Sequence, residues 1–321
     1  MKIRKYISLL LLCAIFCSLF CFYSCESVSS GKRKIVCTAF AQYDFIMNIL
    51  GDRAEEFDVI YLLDKGSDMH SYTNTISAAD KTDILTCEMF VCIGGESEKW
   101  VDELLEGENT STSLRVRLID HIGEVICHEE DGHHGHSHGE HSHEGDEHIW
   151  LSPKRASLMC DALCASLCEI DPDFSEKYRE NCKEYKEKLD ILDKEYENAV
   201  STAERNYLVF ADRFPFAYLA HDYKINYSAA FDGCSTETGA SFETVMRLAS
   251  DINASGTKTL ITLEKSGVNI VETLKKAANN DAIVSLSVNS LQSVSKKDIE
   301  EGVSYLSAMY GNLDVFRKAM N

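Results

Sequence analysis

Between His128 and Pro153 the chain reads HEEDGHHGHSHGEHSHEGDEHIWLSP and holds eight of its eleven histidines. His133, His134, His136, His138, His141 and His143 alternate with Gly, Ser and Glu, leaving no apolar stripe with which a helix or a strand can bury itself. With a pKa of about 6.5, most imidazoles present a free nitrogen lone pair at neutral pH. Zn²⁺ accepts several such nitrogens with little geometric demand. A polar loop of biased composition is the plainer reading, but six histidines within eleven residues at an internal position point to a metal. The tail, DEHIWLSP, differs from the rest. Ile149, Trp150 and Leu151 demand burial and so hold His148 in a fixed place. The run from 128 to 147 therefore divides into a collector that includes His128 and, at its end, an anchored candidate ligand.

Bulk properties narrow the setting. The chain has 321 residues, enough for two compact lobes, and its formal net charge of -20 argues against nucleic acid or an anionic membrane surface as partner. Lys2, Arg4 and Lys5 precede an apolar run from Ile7 to Tyr23, followed by Ser24 and Cys25. That is the layout of a secretory signal peptide. A cysteine after a small residue resembles the lipobox of bacterial lipoproteins, which makes Cys25 the expected lipidation site and puts the protein outside the cytoplasm, held to the membrane by its N-terminal lipid. Of the thirteen cysteines, nine follow Cys25, an odd number that does not suggest a disulfide framework. Cys160, Cys164 and Cys168 share one helical face with Leu163 and Leu167 and read as small core residues.

The elements that must position the histidines alternate β and α. Strands are expected at 34–40, 57–63, 89–95 and 115–121, with helices at 42–52, 77–87 and 97–107 between them. A loop after the second strand presents His70. A long amphipathic helix starts near Asp171-Pro172, with Phe174, Tyr178, Cys182, Tyr185, Leu189, Leu192, Tyr196 and Ala199 on one face. The alternation then restarts with strands at 206–212, 225–231, 258–265 and 281–288 and ends in a helix over 296–321. The expected fold is α/β: two lobes, each a mostly parallel sheet flanked by helices, joined by one long linking helix. The divisions are signal peptide and lipidation site (1–25), linker (26–33), N-terminal lobe (34–170), linking helix (171–205) and C-terminal lobe (206–321). Ligands of such sheets lie beyond the C-terminal strand ends, where His70 and His148 can meet.

GSDMHSY, VCIGGESEKWVDEL and DEHIWLSP, in this order and spacing, resemble the zinc/manganese ABC-transporter substrate-binding lipoproteins across residues 34 to 320. The resemblance implies metal-ligand roles for His70 in the G-x-D-x-H-x-Y loop and for His148 in D-x-H-x-W-L-x-P, with the 128–147 run as the zinc members' histidine-rich loop. Tyr305, Met309 and Asn312 match the family's ending. Most members place a third histidine where this chain has Arg213. FADRFPFAY instead resembles a DRFPF-type subgroup in which Asp212 is the available carboxylate. Asp212 is then either the third ligand or a strand-end carboxylate that pairs with Arg213 or caps the next helix. Where the family often has a late Asp or His, SLSVNSLQS offers Asn289, a poor zinc ligand, so Asn289 and Glu264 are placed beside the ligands rather than among them. A water or a histidine of the loop would complete the tetrahedron. His121 reads as a strand terminus and His221 as a surface residue.

The function implied is capture of Zn²⁺, or alternatively Mn²⁺, between two lobes by a monomeric protein that passes it to a cognate ABC permease, without turnover. The rivals are a secreted zinc-dependent hydrolase and a metal-storing surface adhesin of the same fold. No HExxH supports the former, and fold alone does not exclude the latter.

Overall fold

Four short runs rich in β-branched and aromatic residues build the first sheet: β1 (Arg33–Cys37), β2 (Phe57–Tyr61), β3 (Met89–Cys92) and β4 (Leu114–Arg117). They pair in the order β2-β1-β3-β4, every neighbour parallel. Ile35, Val36, Cys37 and all of β3 are buried, as expected of strands covered on both faces. A second sheet of β5 (Tyr207–Phe214), β6 (Asn226–Asp232), β7 (Thr259–Leu263) and β8 (Val284–Val288) repeats the plan in the order β6-β5-β7-β8, again wholly parallel. The computed structural model describes residues 31–72, 76–106, 114–126, 145–233, 235, 239–266 and 270–321, of which Arg33–Asn321 form one compact unit. Cys25 and the histidines from His128 to His143 lie outside the described residues. Among the described residues no helix is long and apolar enough to cross a membrane.

The helices are α1 (Phe40–Leu50), α2 (Met69–Tyr72), α3 (Ala78–Thr86), α4 (Lys99–Glu106), α5 (Pro153–Ile170), α6 (Ser175–Ser201), α7 (Ala217–Tyr223), α8 (Phe242–Ser255), α9 (Val271–Ala277), α10 (Lys296–Glu300) and α11 (Tyr305–Met320). Capping side chains set several of their starts. Gln42 reaches back from the first turn of α1 to accept the N–H groups of Thr38 and Ala39, and Ser77 accepts the Asp80 N–H at the start of α3. The long helix α6 runs 27 residues and buries the expected stripe of Tyr178, Cys182, Tyr185, Leu189, Leu192, Tyr196 and Ala199. Its tyrosine hydroxyls donate to Asp171, Asp44 and the Met309 carbonyl, so each phenol is buried with its polar end satisfied. α6 packs along α5, α1 and α11.

Three boundaries in particular differ from the periodicity. Pro172–Phe174 form a separate 3-10 turn, which delays α6 to Ser175 and leaves Phe174 outside it beneath the Arg53 guanidinium. β4 ends at Arg117, and Leu118–His121 close into a 3-10 turn. The closing segment is two helices rather than one. Gly302 adopts φ of 96°, a conformation that costs glycine little, and Ser304 then caps α11. The described cysteines are all free, with Cys160 and Cys164 buried and Cys168 half-buried.

One apolar core passes from the first sheet through α1, α5, α6 and α11 to Phe210, Ile261 and Val288 of the second. A smaller one lies under α8 and α9. Hydrogen bonds stitch the seam between the sheets. Tyr305 donates its hydroxyl to the Trp150 carbonyl at 2.7 Å, and Trp150 donates Nε1–H to the Ser290 carbonyl at 2.9 Å. Asn312 of α11 clamps the backbone of Asn289 from both sides, at 2.7 and 2.8 Å.

Two predictions follow from the core. Tyr305→Phe removes only a hydroxyl but leaves the Trp150 carbonyl short of a buried donor. It is expected to cost about 1–3 kcal/mol in urea unfolding at unchanged denaturant slope, and an unmoved midpoint would show that the seam does not depend on that bond. Glu98, buried at the start of α4, has its carboxyl pushed up to about 7 by burial. The folded state therefore binds that proton more tightly than the unfolded chain does, and its contribution to stability falls as pH rises from about 4.5 through about 7. Glu98→Gln is expected to flatten this part of the metal-free protein's pH–stability profile and to raise the unfolding midpoint at about pH 8 relative to the parent. A parallel profile for the variant would refute the assignment.

Candidate metal centre

Every residue of the candidate site lies beyond the C-terminal end of a strand, where connections to the two sides of a sheet diverge. His148 lies two residues past Asp146, whose N–H donates to the Ile126 carbonyl at 2.7 Å. Tyr218 of α7 braces this junction from the second sheet's side by donating its hydroxyl to the Asp146 carbonyl. Immediately after His148, Ile149, Trp150 and Leu151 form a 3-10 turn with no exposed surface, and Pro153 begins α5. Burying an Ile or Leu side chain contributes about 2 kcal/mol. Two such chains and a tryptophan outweigh the roughly 1–2 kcal/mol per residue needed to order the backbone they sit on.

His148 is itself fully buried. Asp146 Oδ1 accepts both its backbone N–H, at 2.8 Å, and its ring Nδ1–H, at 3.0 Å. A carboxylate in that position fixes the proton on Nδ1 and leaves the Nε2 lone pair facing outward. His70, in α2 after β2, is fixed by a longer relay. Its Nδ1 lies 2.6 Å from Ser97 Oγ, and Ser97 donates its own hydroxyl and backbone N–H to Glu147 Oε1, at 3.1 and 2.9 Å. With the Ser97 proton committed to Glu147, the serine oxygen accepts from His70 Nδ1–H, and the His70 Nε2 lone pair is also left open. Glu147 can lie this close only because position 95 is glycine: a Cβ there would fall 2.2 Å from its Cγ.

The two Nε2 atoms face each other at 3.2 Å, with ring centroids 5.3 Å apart. Burial, reinforced by His148 and by the Arg213 guanidinium, pulls the His70 pKa down to about 4, so this imidazole is neutral in neutral solution. Gln292, buried after β8, brings its side-chain amide to 3.2 Å from the same His70 nitrogen. Its backbone N–H donates to Ser290 Oγ at 3.5 Å, and the Ser290 N–H and hydroxyl donate in turn to Glu264 at 2.8 and 2.7 Å.

The structure thus brings together His70 and His148, and it links Glu264 to them through Ser290 and Gln292. It does not bring Asp212 to them. Asp212 is fully buried, and its two oxygens accept the backbone N–H groups of Arg213 at 2.8 Å and Leu263 at 3.0 Å, tying the end of β5 to that of β7. Among the described residues no three His, Cys, Asp or Glu side chains converge as a metal-holding group. Asn289 turns its side chain onto the Leu291 N–H at 2.8 Å. His121 and His221 are exposed, the latter beside Asp222.

Ser97, Asp146, Glu147 and Gln292 are the residues the sequence reading misses. A signal for one of them was present. Both histidines sit in D-x-H, and both aspartates, Asp68 and Asp146, accept the N–H of the histidine two residues on, at 2.9 and 2.8 Å. The repeated spacing marks an Asx turn that presents an imidazole. Nothing local marks Gln292, which is placed by long-range packing.

Known proteins resemble this chain along most of its length. Residues 35–319 match the family described as zinc-uptake complex component A, periplasmic (ZnuA). The zinc-binding lipoprotein AdcA of Streptococcus pneumoniae serotype 4 is 32% identical over 320 residues, covering 98% of this chain but 61% of that protein, so the chain spans only part of that relative's length. The high-affinity zinc uptake system protein ZnuA of Bacillus subtilis is 26% identical over 90% of this chain and 88% of its own. Among solved structures, the Zn(II)-bound ZnuA-like domain of S. pneumoniae AdcA superposes with a TM-score of 0.70 at 26% identity, covering 90% of this chain and 99% of that one. The periplasmic zinc binding protein TroA of Treponema pallidum shares the fold at a TM-score of 0.73 and 22% identity, over 90% of this chain and 99% of its own. The family match extends from β1 to the last turn of α11, and the chain belongs to the zinc-uptake component A family.

Proposed function

We propose that this protein captures Zn²⁺ outside the cytoplasm, between the lobes of residues 34–170 and 206–321, and delivers it to an ABC permease. The observation that carries the reading is the pair of opposed Nε2 atoms at 3.2 Å. A tetrahedral zinc with Zn–N bonds of about 2.0–2.1 Å separates two ligand nitrogens by about 3.3–3.4 Å. Two lone pairs facing one another at that distance repel unless a cation or a proton lies between them, and the lowered His70 pKa disfavours the proton. His70 and His148 are therefore assigned as imidazole ligands. Gln292 is the group the second sheet offers to the same place, and rotating its amide presents the carbonyl oxygen. A water or a loop histidine completes the shell. The carboxylates of Asp146 and Glu147 lie behind the imidazoles and raise their basicity toward the metal. We assign Asp212 the task of holding the β5 and β7 ends, its carboxylate oxygens being engaged by backbone donors.

The imidazole pair favours zinc over manganese, which prefers oxygen donors. The names of the relatives, a zinc-binding lipoprotein and a zinc uptake protein, support both the cargo and anchorage through Cys25. His128, His133, His134, His136, His138, His141 and His143 are assigned to gathering zinc ahead of the tight site.

Replacing either His70 or His148 with Ala is expected to weaken the tightest zinc site by at least about 100-fold, and Ser97→Ala by about 10-fold, in titration against a competing chelator. Unchanged affinity in both histidine variants would sink the assignment. Deleting residues 129–143 spares Asp146, which His148 requires, so the tightest site should survive while fewer zinc ions bind at saturation. Loss of that tightest site on deletion would make a loop histidine a ligand.

A further inference from the structure

The metal reading gives Arg213 no task, yet the fold aims it toward the His70 loop. β5 pairs with β6 in register up to Phe210, and the pairing resumes at Arg213 after an irregularity, a feature that bends a strand and redirects its side chains. Asp212 fixes the backbone at this point through the N–H groups of Arg213 and Leu263. The guanidinium thus directed places Nη1 3.5 Å from Asp68 Oδ2. The other oxygen of that carboxylate accepts the His70 N–H at 2.9 Å. One carboxylate consequently joins the backbone of His70, carried by the first sheet, to a side chain of the second.

We propose that Arg213 is a positioning residue: through Asp68 it clasps the His70 loop to the second sheet and keeps the His70 imidazole turned toward His148 before metal arrives. The consequence for zinc rests on the function proposed above, whereas the clasp itself is a property of the metal-free protein. The chemistry suits the task. A guanidinium does not lose its charge in the accessible pH range, and its planar fork is preorganised, whereas lysine offers a flexible point charge. Asp68 has a second role in the pair, because it neutralises a cation that would otherwise stand unpaired near an incoming dication. Asp68→Asn therefore separates the two effects. The amide oxygen still accepts the His70 N–H, but the clasp is lost and the guanidinium is left uncompensated.

The test is hydrogen exchange of residues 62–72 in the metal-free protein, measured for the parent, Arg213→Ala, Arg213→Lys, Asp68→Asn and the Arg213→Ala/Asp68→Asn double variant, together with zinc release into excess chelator. A partly exposed ion pair contributes up to about 1 kcal/mol, so Arg213→Ala should speed exchange in this segment by roughly fivefold with no change in β5 or α6. Zinc release should quicken by a similar factor, with Arg213→Lys intermediate in both. Asp68→Asn should match the exchange gain and bind zinc more weakly than Arg213→Ala, and the double variant should exchange no faster than either single and recover affinity relative to Asp68→Asn. Unaltered exchange over 62–72 in Arg213→Ala, or gains that add in the double variant, would overturn the clasp. A parent protein that binds no zinc would defeat the metal reading, while the exchange comparison would still decide the clasp.

Discussion

The burial of Ile149, Trp150 and Leu151 is the constraint on which the rest of the site depends. These residues have no exposed surface, and the Trp150 indole and carbonyl bond to Ser290 and Tyr305, which belong to the second half of the chain. The turn they form is thus fixed by both sheets at once. His148 precedes it directly, so its position is set by packing that involves no metal. Under the proposed function, a ligand held by apolar burial is in place before the metal, and little ordering entropy remains to be lost on binding.

Preorganisation of this kind has an electrostatic cost. Glu147 lies behind the His70 imidazole through Ser97, Glu264 lies behind Ser290, and burial raises the pKa of each. Both are offset by donors: Ser97 gives two hydrogen bonds to Glu147, and Ser290 gives two to Glu264. Both bonds to Glu147 fall on Oε1 and leave its buried Oε2 without a partner, whereas both oxygens of Glu264 are engaged. The same acids lower the local potential, so a dication between the imidazoles gains from carboxylates that need not touch it. The wider charge of -20 adds a long-range bias of the same sign, weakened by salt.

Much of the fold was legible because parallel α/β architecture writes itself in periodicity. Every expected strand exists, and the stripe on α6 lies on the buried face. The errors fall where a single local event overrides a period: Pro172 and Asp171 delaying α6, Gly302 interrupting the last helix, and the chain after Arg117 closing into a turn. Within the site, His70 and His148 were legible because each lies in a short motif with its aspartate. Asp212 stayed open between two roles because an acidic residue at a strand end looks the same in sequence whether it faces a ligand or binds the neighbouring strand. Only the second strand decides, through the Leu263 N–H, 51 residues away. Gln292 was missed for the same reason, since the Ser290 and Glu264 contacts that aim it have no local signature.

The resulting site is asymmetric. Both imidazoles, and the carboxylates that orient them, come from the first sheet's loops, while the second sheet contributes a neutral amide and a guanidinium already paired with Asp68. Neither of these second-sheet groups is negatively charged. Under the proposed function, most of the binding energy is then available from one lobe, and the second governs access and orientation more than affinity. A carrier must release its cargo as well as hold it, and ligands divided equally between lobes would make opening cost a full metal–ligand bond on each side. Concentrating the imidazoles on one sheet lowers that cost to an amide contact and a partly exposed ion pair, both within reach of the energy a docking partner can supply.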